Sequence, residues 1–162
     1  MPSVGQVEIR TQKRVLQLLQ DKLGYDYLGD WADEPDNRNI EVEFLQKWLE
    51  GQGIEAQLIT RAISELDKAS SDASKSLYDR NKAVYDLLRY GVKIKPGHGE
   101  NTVTIWLIDW QHWDKNHFAV AEEVTVKGAD AKAATKRPDI VIYVSGIALG
   151  VIELKRSSVS VL

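Results

Sequence analysis

Two apolar runs, Ile140-Val141-Ile142-Tyr143-Val144 and Ala148-Leu149-Gly150-Val151-Ile152, lie near the C-terminal end of the chain with only Ser145-Gly146-Ile147 between them. Short β-branched runs on either side of a glycine turn read as a β-hairpin. A hairpin this apolar has to be buried in a sheet, and burial disfavours charge unless the charge is paired or bound to metal. Yet Asp139 opens the first run, and Glu153-Leu154-Lys155 closes the second. Those three charges call for a reason.

Residues two apart on a strand share a face, so Glu153 and Lys155 lie on one side and Leu154 on the other. The turn decides where Asp139 goes. A two-residue loop, Ser145-Gly146, carried straight down the hairpin would set Asp139 opposite Ile152, on the wrong face. A three-residue loop, Ser145-Gly146-Ile147, pairs Val144 with Ala148 and brings Asp139 opposite Glu153, with Gly146 supplying the left-handed backbone such loops need. The three-residue loop is therefore expected.

Two carboxylates at that distance repel, and a cation between them relieves the repulsion. Asp139 and Glu153 supply carboxylate oxygens and Leu154 a backbone carbonyl, an all-oxygen set that suits Mg²⁺ or Mn²⁺ rather than zinc. Such an ion would activate a water and polarise a phosphate, with Lys155 orienting that water and offsetting the growing negative charge. Taken alone, Glu-x-Lys at a strand end is commonly a solvated pair of little energetic weight. The acid at the start of the preceding strand favours a site.

Composition narrows the class. The 162 residues include 43% hydrophobic ones, enough for one core of ordinary domain size, and a single domain spanning 1–162 is expected. No run approaches the roughly 18 apolar residues of a membrane span, and the N-terminus lacks a basic-then-apolar signal, so a cytoplasmic location is the default. With no cysteine and three scattered histidines, disulfides and cysteine-based zinc sites are excluded. Net charge is −3, unusual for a chain that holds DNA unaided, because lysines and arginines supply the non-specific affinity. Basic residues do flank the proposed site: Lys132, Lys136, Arg137 and Arg156, beside Lys155.

The first ninety residues carry helical periodicity. Helices are expected over about Val4–Leu23, with an apolar stripe of Val7, Val15, Leu18, Leu19 and Leu23, then over Ile40–Glu50, Glu55–Ala69 and from Ser76 to Tyr90. Ser76 and Asp79 resemble a capping box. Asp30–Arg38 reads as a loop. Strands are expected over Thr102–Asp109, Phe118–Val126, Asp139–Val144 and Ala148–Lys155. Helices followed by strands make an α+β domain whose sheet carries the chemistry. Trp106, Trp110 and Trp113 could stack on bases, but their clustering at a strand end favours core or rim packing, and His98 between two glycines reads as a plain hairpin turn.

Pro-Asp followed by Glu-x-Lys resembles the signature of the PD-(D/E)xK nuclease superfamily. Residues 136–155 together with Leu23–Trp31, Ser76–Val92, Ile108-Asp109-Trp110 and Asn116-His117-Phe118 are similar to the N-terminal nuclease domain of the R subunit of type I restriction enzymes. That resemblance implies a restriction-endonuclease-like fold, with N-terminal helices before a mixed or antiparallel sheet. It implies Mg²⁺-dependent hydrolysis of double-stranded DNA without its own sequence reading, and a complex with methyltransferase and specificity subunits. An acidic residue on the first helix often faces the metal in that family, and Glu8 matches best, although a first-turn glutamate is also favoured by the helix dipole. Lys136, Arg137 and Arg156 are the candidate DNA contacts.

In the family, a helix with a Gln-x-x-x-Tyr pattern and an ATP-driven motor follow the nuclease domain. Neither they nor a Walker-type loop occur in these residues, so the chain is expected to be a piece of that subunit, with ATP serving only the whole protein. Two other readings stand beside this one: a junction-resolvase or repair nuclease of the same superfamily, and a catalytically silent docking domain. Retention of Asp139, Glu153 and Lys155 speaks against silence.

Overall fold

The computed structural model describes residues 4–34, 37, 39–126 and 135–154, without the side chains of 4–8. The described chain forms two compact units, one of Met1–Ile40 with His117–Leu162 and one of Glu41–Asn116. Among the described residues the protein is mixed α and β, with four α-helices and a four-stranded mixed sheet. No helix among them is long and apolar enough to cross a membrane.

In the first unit, helix α1 (Val4–Leu23) precedes strands β1 (Asp26–Asp30), β4 (Phe118–Glu122), β5 (Ile140–Val144) and β6 (Ile147–Ile152), which lie in the order β1-β4-β5-β6. The first pair is parallel and the other two antiparallel. Alternation along the strands sorts the core into two faces. Val120 and Ile140 pack with Leu16 and Leu19 of α1, joined by Ile142 and Ile152. Ala119, Ala121, Val141 and Tyr143 form the other cluster with Val124, Leu28 and Trp31.

The helix meets the sheet along only part of the expected stripe, through Val15 and Leu19. Leu18 and Leu23 are more than half exposed, while Gln12, Leu16 and Leu19 are buried. Strand β1 falls in a stretch given no strand by the sequence, because Asp26-Tyr-Leu-Gly-Asp30 has little strand propensity of its own. Its partner β4 supplies the ladder: Asp26 pairs with Ala119 and Asp30 with Glu122. β4 is also shorter than the expected Phe118–Val126, since Glu123 turns into the left-handed region at φ 54°.

The second unit contains α2 (Val42–Gly51), α3 (Ala56–Ser71), α4 (Leu77–Tyr90), the antiparallel strands β2 (Val92–Ile94) and β3 (Val103–Ile105), and a short 3-10 turn at Trp113–Lys115. Leu45, Leu49, Ile59, Ala62, Leu66, Val92 and Leu107 are almost wholly buried. Ser76 caps α4: its hydroxyl oxygen accepts the Asp79 N–H at 3.1 Å and its hydroxyl donates to the Asp79 carboxylate at 2.6 Å. Only three residues of the expected Thr102–Asp109 strand join a ladder, because the chain then turns about Asp109, whose carboxylate accepts the Gln111 and His112 N–H groups. Those bonds, His112 first, hold the Asp109 pKa below its ordinary value.

Candidate active site

The β5–β6 turn corrects the expected three-residue loop. Val144 pairs with Ile147 across Ser145-Gly146, and both turn residues have positive φ, 50° and 81°. That is a two-residue turn of the kind matched to strand twist, in which the first central position usually holds Asn, Asp or Gly. Ser145 tolerates it in a wholly buried position, with its N–H donating to the His117 carbonyl at 2.6 Å.

The register near Asp139 is nevertheless the one that loop was meant to produce. Tyr143 pairs with Ala148 but Ile142 with Gly150, so Leu149 is an extra residue in β6. The bulge shifts the register by one, as bulges do, and Ile140 comes to lie opposite Ile152. One step outward, Asp139 and Glu153 flank the end of the hairpin. A hydrogen bond joins Asp139 to the residue after Glu153: Leu154 N–H donates to Asp139 Oδ2 at 2.5 Å. Asp139 is half-buried and Glu153 exposed.

The other expected site residues are placed unevenly. Lys155 and Arg156, together with Lys132, lie outside the described residues, and Glu8 belongs to α1 with its side chain outside them. Lys136 is exposed and pairs through its backbone with Val126. Arg137 is engaged within the protein, its Nε 3.1 Å from Glu123 Oε2. The tryptophans are rim residues: Trp110 donates its indole N–H to the Leu88 carbonyl at 2.8 Å and lies under the Arg89 guanidinium, while Trp113 is 69% exposed.

A divalent cation can be tested against the donors that are described. Among the described residues no three His, Cys, Asp or Glu side chains converge as a metal group. Two carboxylates and a carbonyl would leave the remaining positions to water, which Mg²⁺ usually keeps. The bond from Leu154 uses part of Asp139's capacity, and a carboxylate has about four lone-pair sites. The donor chemistry therefore fits Mg²⁺ or Mn²⁺ and is wrong for a softer metal.

Three residues beside Asp139 had no role in the sequence reading. Glu122 ends β4 and Glu123 follows it, and Gln12 of α1 donates to both carboxylates, at 2.9 and 3.2 Å. The Tyr27 hydroxyl also donates to Glu122. The legible signal was Gln12 itself, a polar residue four and seven positions before Leu16 and Leu19 and thus on their face of the helix.

Comparison with known proteins adds an independent line. The family described as the type I restriction enzyme R protein N terminus matches residues 6–162. The endonuclease subunit of the type I restriction enzyme HindI from Haemophilus influenzae is 34% identical over 71 residues, 43% of this chain and 6% of that protein. A putative type I restriction enzyme endonuclease subunit, MjaIXP, from Methanocaldococcus jannaschii is 33% identical over 72 residues, 43% of this chain and 7% of that protein. The chain thus matches only a small part of either relative's length, and no solved structure matches it. With the family match running through the hairpin and nearly all of the sequence before it, the chain belongs to the type I restriction enzyme R protein N-terminal family.

Proposed function

We propose that this chain is the Mg²⁺-dependent endonuclease domain of a type I restriction R subunit, built on a restriction-endonuclease-like fold and hydrolysing phosphodiester bonds of double-stranded DNA without reading sequence itself. The observation that carries the reading is the bulged register of β6, which sets Ile140 opposite Ile152, the residues next to Asp139 and Glu153 in the chain. In this reading Asp139, Glu153 and the Leu154 carbonyl would hold Mg²⁺ or Mn²⁺, with Glu8 as a further candidate ligand. The ion, when bound, would polarise the scissile phosphate and lower the pKa of a water.

Lys155 follows Glu153 by two residues, the strand spacing that shares a face. Its ammonium would orient the attacking water and offset negative charge growing on the phosphate. Lys136 and Arg156 would contact the DNA backbone, with Arg137 contributing only what its bond to Glu123 leaves available. The whole R subunit would act with methyltransferase and specificity subunits, draw on ATP through its motor, and work in the cytoplasm.

The test is thermal. Mg²⁺ or Mn²⁺ should raise the melting temperature by mass action, and an Asp139→Asn, Glu153→Gln double variant should lose that rise. Equal stabilisation of both proteins would remove the metal assignment. Lys155→Ala in the full-length subunit should keep cation binding and lose cleavage.

A further inference from the structure

Two consecutive glutamates, the last residue of β4 and the one after it, reach one donor. Glu122 is in phase with Val120, which packs with Leu16 and Leu19 of α1, so its side chain heads for the helix. The next residue on a strand ordinarily points the other way. Glu123 instead adopts φ 54°, a region that non-glycine residues avoid, and its carboxylate accepts from the same amide. Gln12 Nε2 lies 2.9 Å from Glu122 Oε2, 3.2 Å from Glu123 Oε1 and 3.5 Å from the Asp139 carbonyl oxygen.

Gln12 is only 8% exposed, so a polar side chain takes a core position on α1 where an aliphatic one would ordinarily stand. The outer oxygens of the pair are held as well. The Tyr27 hydroxyl donates to Glu122 Oε1, and Arg137 Nε is 3.1 Å from Glu123 Oε2. The Glu123 N–H donates to the Asp139 carbonyl at 3.0 Å, so the left-handed residue just past β4 is bonded directly to the residue just before β5.

We propose that Gln12 is a positioning residue for the acidic site: by binding Glu122 and Glu123 together it holds the end of β4 against the start of β5 and fixes the backbone from which Asp139 projects. The assignment rests on the nuclease reading for what Asp139 does. An amide suits the task because it offers two N–H donors and no charge. A lysine, added to Arg137, would cancel the charge of the pair, whereas an aliphatic residue would leave two carboxylates pressed together with their shared donor gone. Arg137 is the one formal positive charge bonded to this pair among the described residues, so a negative potential that attracts divalent cations persists beside Asp139.

Two readouts on the whole 162-residue chain test the assignment: amide hydrogen exchange without metal, and Mn²⁺ titration by calorimetry. Gln12→Met keeps the length and removes the donor, and Gln12→Glu adds a third carboxylate. In Gln12→Met the amides of Glu123 and Leu154, both bonded to Asp139, should exchange faster while those of Val141 and Tyr143 keep their rates. Mn²⁺ affinity should fall roughly ten-fold in Gln12→Met, the scale on which residues that orient metal ligands act; in Gln12→Glu, whose added charge itself attracts cations, the faster exchange of the same two amides is the readout.

Glu123→Gly supplies a backbone that accepts the left-handed turn and leaves Gln12 in place, so it tests the clamp even if a Gln12 variant does not fold. It should loosen the same two amides. Unchanged protection of Glu123 and Leu154 in Gln12→Met or in Glu123→Gly would overturn the assignment, as would uniform acceleration across the sheet in a folded Gln12→Met, which marks a packing residue only. If the wild-type chain binds no Mn²⁺, the nuclease reading fails, while the exchange arm still decides whether Gln12 holds Asp139.

Discussion

A methyl group in place of the Gly91 hydrogen would meet Thr104 Cγ2 at 2.5 Å and the Ile105 carbonyl oxygen at 3.0 Å, on a backbone already at φ 73°. The carbonyl belongs to the β2–β3 hairpin and cannot rotate away. Gly91→Ala should therefore cost about 2 kcal/mol or more and lower the melting temperature by roughly 4–8 °C, read by calorimetry. Tyr27 offers a second test at the same scale. Desolvation first, and then its bond to Glu122, push its phenol up to about 12 from an ordinary 10.0. The folded form thus keeps the proton that the unfolded form loses, so this contribution is complete below pH 10 and is lost as pH rises through about 12. Stability of the wild-type chain should fall across that window more steeply than that of Tyr27→Phe, measured by urea unfolding at a series of pH values.

The hairpin β5–β6 is where an element, rather than a residue, controls the site. Its turn and its bulge each contribute one shift of register, and the faces of Asp139 and Glu153 depend on their sum. Deleting Leu149 removes the extra residue without disturbing the pairing of Ile140 with Ile152. It should leave cation-induced stabilisation in place. Inserting one alanine between Ile152 and Glu153 should abolish that stabilisation while the Ile140–Ile152 cross-strand contact persists, which nuclear Overhauser effects between the two side chains would register. Retained cation binding in the insertion variant would mean that Glu153 is not a ligand.

At the scale of the molecule, charge sets the expectation. A net charge of −3 leaves few phosphates that this chain can neutralise, so its affinity for a short duplex should be weaker than about 10⁻⁶ M at physiological salt and should fall further as salt rises. Fluorescence anisotropy across a salt series checks this. Cleavage of plasmid by residues 1–162 alone should accordingly be poor, and fusion to the remainder of an R subunit should restore it. Tight, salt-insensitive binding by the isolated chain would favour a stand-alone repair nuclease instead.

The sequence by itself determined the elements whose causes are local. Val4–Leu23 carries its own period, Ser76 and Asp79 cap α4 through adjacent side chains, and the apolar runs around Gly146 make a hairpin wherever they are placed. The Pro-Asp and Glu-x-Lys pattern was also legible, because charge beside buried strands is a conflict visible without coordinates. Tertiary structure decided the rest. Strand β1 exists because β4 offers it a parallel ladder, and Ser145 accepts a left-handed turn because burial and the His117 carbonyl hold it there. Leu149 bulges within a ladder whose start is pinned from outside, where the Ala148 N–H donates to the Asn39 carbonyl at 2.8 Å. Gln12, Glu122 and Glu123 meet across more than a hundred residues of chain. Their bonds satisfy polar groups that only the folded arrangement takes out of water, and no local propensity encodes them.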